Sequence, residues 1–252
     1  MFSIYFSMFW NIFSTFLKTF KHIKYDFQNQ NSKTSNFSDI NDQKLRKYRL
    51  ALSCTGEYAQ FFAGNGTEIE QKTNVLAAMV TSINRVNEIY ERDFGIRLEL
   101  VANNDDVIYL DSATDPWTNE FNTTTAITLD DVIGVENYDI GHNYNDMDSS
   151  GDAGCLGCVC AADSQNDFHK GRGWTGSGNP IGDPFYIDYV AHEMGHQFYG
   201  FHTMNVCSRS GYNTEVEPGS GSSIMGYAGI CAPNVQNNSD AHFNFVNIRD
   251  VG

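Results

Sequence analysis

Ala191-His192-Glu193-Met194-Gly195-His196-Gln197-Phe198-Tyr199-Gly200-Phe201-His202 is the stretch from which the rest of the chain is read. Asp183-Pro184 precedes it, an N-cap candidate followed by a first-turn proline, so a helix starting there is expected. On that helix, residues four apart are offset by only about 40° and roughly 6 Å of rise. His192 and His196 therefore face one side and can reach one ion, with Glu193 beside the ion rather than on it. His202 is six residues past His196, about 600° of turn and roughly 240° round if the helix continued. The helix must end and the chain turn back, and Gly200 is the residue that accepts a left-handed conformation most cheaply. Three imidazoles with one open position form a catalytic rather than a structural zinc site. The plain alternative is three histidines merely sharing a helix and a loop. A chance HExxH in 252 residues has a probability of roughly one in a hundred, and a third His at this distance lowers it to about one in several thousand. The metal reading is the better one.

Outward from this stretch, Glu70 to Tyr90 is the clearest helix. Val75, Leu76, Met79, Val80, Ile83, Val86, Ile89 and Tyr90 recur at three and four residues. Tyr48 to Leu52 alternates as a first strand, and Ile96–Val101 and Val107–Leu110 read as two more. Thr124 to Ile133 predicts a short helix, with a further strand near Tyr138–Ile140. Residues 143–183 are Gly-rich and loop-like, too long for a bare connector and therefore functional. Strands mixed with helices in this order predict an α/β layer structure.

The first seventeen residues carry no charge and are rich in Phe, and Lys18, Lys21 and Lys24 follow them. A secretory leader places its charge before the apolar run, so residues 1–27 read as a hydrophobic segment of three possible kinds. They are a membrane anchor or surface segment through residues 1–20, a degenerate leader, or a start assigned too far upstream. Residues 28–44 are polar and read as a linker, leaving 45–252 for the catalytic domain. Sixteen Lys+Arg against thirty-one Asp+Glu give a net charge of −15, which repels phosphate backbones and excludes nucleic acid as a partner. Six Cys suit an exported, secreted or extracellular domain whose core carries the fold and whose bridges staple it.

With these residues in view, the chain resembles the metzincin zinc endopeptidases, and among them the reprolysin-like metallopeptidase domains of bacterial secreted proteins. The zinc motif of that family is HExxHxxGxxH, with a Met-turn beneath the metal, and Gly221-Ser222-Ser223-Ile224-Met225-Gly226-Tyr227 resembles the turn. Cys54–Ala59, Tyr138–His142 and Gly182–Pro184 also look like the family, and the resemblance runs from about Lys47 to Asp240. It implies a metzincin-like zincin domain with a twisted, mostly parallel sheet, a zinc helix and a cleft across the zinc. It also implies hydrolysis of peptide bonds in protein or peptide substrates. His192, His196 and His202 would hold one Zn²⁺, Glu193 would be the general base, and Met225 would lie under the metal. Tyr227 falls where some metzincins keep a tyrosine that ligates zinc or steadies the tetrahedral intermediate; the other reading is a packing residue.

Tyr199 stands where the family has its glycine. Either Tyr199 turns left-handed at about 1–2 kcal/mol, or the helix runs on and turns at Gly200; the second is the expectation. Tyr199, and a chain that stops soon after the Met-turn where the family carries a further helix, motivate a rival: a catalytically silent relative that binds peptide or metal. A zinc hydrolase of non-peptide substrates is a third reading.

Cys207 and Cys231 flank the Met-turn and are the favoured disulfide, while Cys155, Cys158 and Cys160 read as disulfide partners of one another or of Cys54 rather than as a second metal cluster. Asp146–Asp152 imitates the opening of a Ca²⁺ loop, but Gly157 stands at the twelfth place where a Glu should close it, so a solvated acidic loop is the better reading and calcium is only weakly supported. His142, His169 and His242 read as surface or packed residues.

Overall fold

The computed structural model describes residues 42–147, 149–163, 167–207 and 213–251, all but Asp42 within one unit, Gln43–Gly252. The hydrophobic segment 1–27 and nearly all of the 28–44 linker lie outside the described residues.

Strand β1 (Arg46–Cys54) leads through α1 (Gly56–Gln60) into the long helix α2 (Glu68–Phe94). Helix α2 starts on a capping box, in which the Thr67 hydroxyl accepts from the Glu70 backbone and the Glu70 carboxylate accepts from the Thr67 backbone. It ends at Gly95, left-handed at φ +65°. Strand β2 (Ile96–Leu100), α3 (Asn122–Val132), β3 (Ile140–Asn145), β4 (Ser150–Asp152), β5 (Ala162–Asp163), β6 (Phe168–His169) and β7 (Gly173–Gly176) follow. The main sheet has the order β2-β1-β3-β7-β4, parallel except for the antiparallel edge strand β4.

The sheet is covered on both faces, as a parallel sheet must be. Leu50, Leu52 and Cys54 of β1 pack into one core with Val75, Met79, Val86 and Tyr90 of α2 and with Val190 and Met194 of the zinc-motif helix. Ala51 alternates to the other face and packs with Leu129 of α3. The mixed, mostly parallel sheet with flanking helices is the α/β architecture expected.

Four local readings need correction. Val107–Leu110 is no strand: Asn104–Val107 forms a 3₁₀ turn and only Ile108 bridges to Cys54. The buried Asn104 side chain takes the place of strand partner, accepting from the Leu52 N–H and donating to the Leu52 carbonyl. The stretch 143–183 contains the end of β3 and all of β4 to β7. Glycines hid β7, where a Cβ on Gly173 would lie 2.5 Å from both Gln197 Oε1 and His142 Nδ1. Asp183 is not the N-cap: Gly182 precedes the helix, and the Asp183 carboxylate instead receives both arms of the Arg85 guanidinium. Finally, a helix does follow the Met-turn, α6 (Phe245–Val251), with Val246 and Asn247 buried. Among the described residues no helix is long and apolar enough to cross a membrane.

Candidate active site

Helix α4 (Asp183–Phe185), a π turn (Tyr186–Ala191) and α5 (His192–Gln197) run on without a break. The turn that ends α5 is a Schellman motif: Gly200 N–H donates to Gly195 O at 2.8 Å and Tyr199 N–H to His196 O at 2.9 Å. The left-handed residue is Tyr199, at φ +76°, and not Gly200, which corrects the expectation. Gly200 is required for another reason, since a Cβ there would sit 2.9 Å from the Gly195 carbonyl oxygen. Tyr199 recovers part of the backbone cost through its ring, which stands 4.7 Å from that of Phe201 and lies against Gly157. Tyr199→Ala and Tyr199→Gly both lose those contacts, but only the glycine escapes the strain. The glycine variant is therefore expected to be the more stable by about 1 kcal/mol, read from urea midpoints. Equal midpoints would show that the turn is unstrained.

The turn brings His202 to the helix. His192 Nε2 and His196 Nε2 lie 3.1 and 3.0 Å from His202 Nε2. Nitrogens arranged tetrahedrally at zinc-bond length are about 3.3 Å apart, so the three are close to the spacing of a shared ion. The other ring nitrogens set the tautomers. His192 Nδ1 donates to Ile224 O and His196 Nδ1 to Gly200 O, each at 2.7 Å. A carbonyl can only accept, so the proton sits on Nδ1 and the Nε2 lone pair points to the common centre. The donor set therefore fits zinc. Among the described residues no other group of three His, Cys, Asp or Glu side chains could hold an ion, so Asp146 and Asp152 belong to none.

Two hollows flank the histidines, of about 520 and 660 Å³, and both are lined by Gly151, His192, Glu193 and Tyr227. Glu193 thus borders both hollows. Gly151 on β4 presses on it: a Cβ at 151 would fall 2.5 Å from Glu193 Cγ and 2.7 Å from its Oε1. The Tyr227 ring stands 4.7 Å from that of His202 and 5.8 Å from that of His192. Met225 is fully buried under the helix, where a Cβ on Gly195 would meet its Sδ at 2.8 Å.

Two supporting residues, Glu217 and Gln197, were not read from the sequence. Glu217 is buried and clamps the segment that follows the third histidine to the Met-turn: its carboxylate accepts from the Ser222 and Ser223 N–H groups at 3.0 Å and from the Thr203 and Ser223 hydroxyls. Burial opposes its charge, but these four donors win and hold it below the ordinary carboxyl range. Gln197 donates to Gly141 O and accepts from His142 Nδ1 at 2.9 Å, which ties α5 to β3. His142 is packed rather than exposed, and burial pushes its pKa down to about 4, so it is neutral at physiological pH. No sequence signal marks Glu217 or Gln197, because both act across the fold rather than within a spacing.

Disulfides join Cys207 to Cys231 and Cys155 to Cys158, leaving Cys54 buried and Cys160 exposed as free thiols. Gly157, inside the shorter bridge, donates its N–H to His196 O at 3.0 Å and so docks that loop on the end of α5. Among curated proteins none matches the chain. The profile of metallopeptidase family M12B, reprolysin-like, matches residues 45–251. The matched span covers most of the chain, including the histidine cluster and the sheet beneath it, and so the chain belongs to the reprolysin-like M12B metallopeptidases.

Proposed function

We propose that the chain is an exported zinc-dependent endopeptidase that hydrolyses peptide bonds of protein or peptide substrates. The observation that carries this reading is the convergence of three Nε2 atoms, two with their tautomers fixed by carbonyls, beside the Glu193 carboxylate in an open cleft. His192, His196 and His202 would hold Zn²⁺, which when bound supplies a Lewis acid able to polarise a carbonyl and bring the pKa of water near 7. Glu193 takes a proton from the water that attacks the peptide carbonyl. It then delivers that proton to the amine nitrogen as the C–N bond breaks. Tyr227, whose ring stands beside that of His202, would steady the charge that develops on the carbonyl oxygen. Met225 floors the site and keeps it dry from below.

The two disulfides suit an oxidising, extracellular setting. The rival reading of a silent relative draws no support from Tyr199, since the turn it makes delivers His202 to the other two imidazoles. The test is metal analysis of the purified chain together with digestion of an unbiased peptide library, with and without chelator. The expected result is one zinc per chain and cleavage that stops on chelation and returns on adding zinc. Cleavage indifferent to chelation would overturn the reading.

A further inference from the structure

The two hollows differ from an apolar specificity pocket in their charge. The described residues lining them include Asp152, Asp188 and Glu193 and no Lys or Arg. Asp188 is the most built of these. It lies on the π turn one helical turn before His192, half-buried in the wall of the 520 Å³ hollow. Its Oδ1 accepts from the Ser239 N–H at 2.9 Å and its Oδ2 from Asn238 Nδ2 at 2.7 Å, so the carboxylate is fixed in orientation by two neutral donors. Each oxygen keeps a further lone pair. No ion pair is made to Asp188 among the described residues, and Arg85, on the neighbouring α2, is taken up by Asp183 and Glu88. Burial raises the Asp188 carboxyl above its ordinary range despite the Asn238 amide and the N–H and hydroxyl of Ser239. A half-buried charge without a counter-charge is costly, and a cation arriving from outside relieves that cost.

Resting on the endopeptidase reading above, we propose that Asp188 is a specificity-determining residue: the hollow takes a Lys or Arg side chain of the substrate adjacent to the scissile bond. The geometry suits a long side chain. The hollow opens at His192 and Glu193, where the bond is cut, and extends along the helix to Asp188. An extended stem runs along Tyr189 and Ile230, and the charged end meets the carboxylate. The net charge of −15 acts in the same direction, drawing basic peptide segments toward the cleft at low ionic strength.

The role open to Asp188 instead is purely structural, pinning the Asn237–Ser239 loop to the helix. The two are separated by a ratio. Zinc-loaded chain is used to digest a mixed peptide library, and cut sites are expected to carry Lys or Arg next to the scissile bond about tenfold above their abundance. For a matched pair of peptides with Lys or norleucine at that position, the ratio of kcat/KM is expected to collapse by about tenfold in Asp188→Asn and to fall below one in Asp188→Lys. Calorimetric binding of the same pair to a Glu193→Gln chain, without turnover, should show the same tenfold preference. A library cut without charge preference, or an Asp188→Asn chain that loses both peptides equally, would overturn the specificity and leave the endopeptidase reading intact. A zinc-bound chain that cuts nothing in the library would instead remove the endopeptidase reading, and this inference with it.

Discussion

A Glu193→Gln chain is expected to keep its zinc and lose about 10²–10⁴-fold in kcat for peptide hydrolysis. Gln matches Glu in size, so it fits against Gly151, which leaves no room for a larger group. The three imidazoles, whose positions depend on the Ile224 and Gly200 carbonyls and on the turn at Tyr199, are untouched by the change. What disappears is the carboxylate proposed to take a proton from water and return it to the leaving amine. The measurement is kcat beside metal content by mass spectrometry. Undiminished turnover with full metal would assign the base to another residue, and loss of metal would mean that Glu193 positions the histidines.

His202→Ala is expected to separate metal binding from folding. His202 is one of three donors and the only one outside the helix, so its removal leaves two imidazoles four residues apart. Losing a hydrogen bond to a metal ligand costs about 10–100-fold in affinity; losing the ligand itself is expected to cost more than about 100-fold, measured by competition against a chromogenic chelator. The metal-free stability should change little, within about 1 kcal/mol, because His202 is only partly buried and fills no part of the main core. An unchanged zinc affinity would mean that His202 is not a ligand.

What the sequence could disclose follows from how each feature is encoded. The long helix was legible because Val75, Met79, Ile83, Val86 and Ile89 repeat one face over about four turns, and its observed range, Glu68–Phe94, exceeds the expected one at both ends. Strand β1 was legible by alternation. The convergence of His192, His196 and His202 was legible because the helix repeat and one reversal place all three within eleven residues. The reversal was assigned to the wrong residue, since propensity favours Gly200 while the hydrogen-bond pattern of the Schellman turn puts the positive φ on Tyr199. Strand β7 escaped notice because two of its four residues are glycines chosen for close approach rather than for β-propensity. Asp188 and Gln197 lie beyond the reach of local pattern, since each acts on a partner more than fifty residues away, and Glu217 matches no known spacing in tying Thr203 to the Met-turn.

Gly151 has no functional group and belongs to no motif, yet the seat of Glu193 is cut to fit its missing side chain. A screen that sorts related chains into working and defunct enzymes by the histidine signature would pass an alanine at that place as sound. Decay of such an enzyme can therefore start on the sheet's outer strand, with every metal donor still in register and nothing in the signature to betray it.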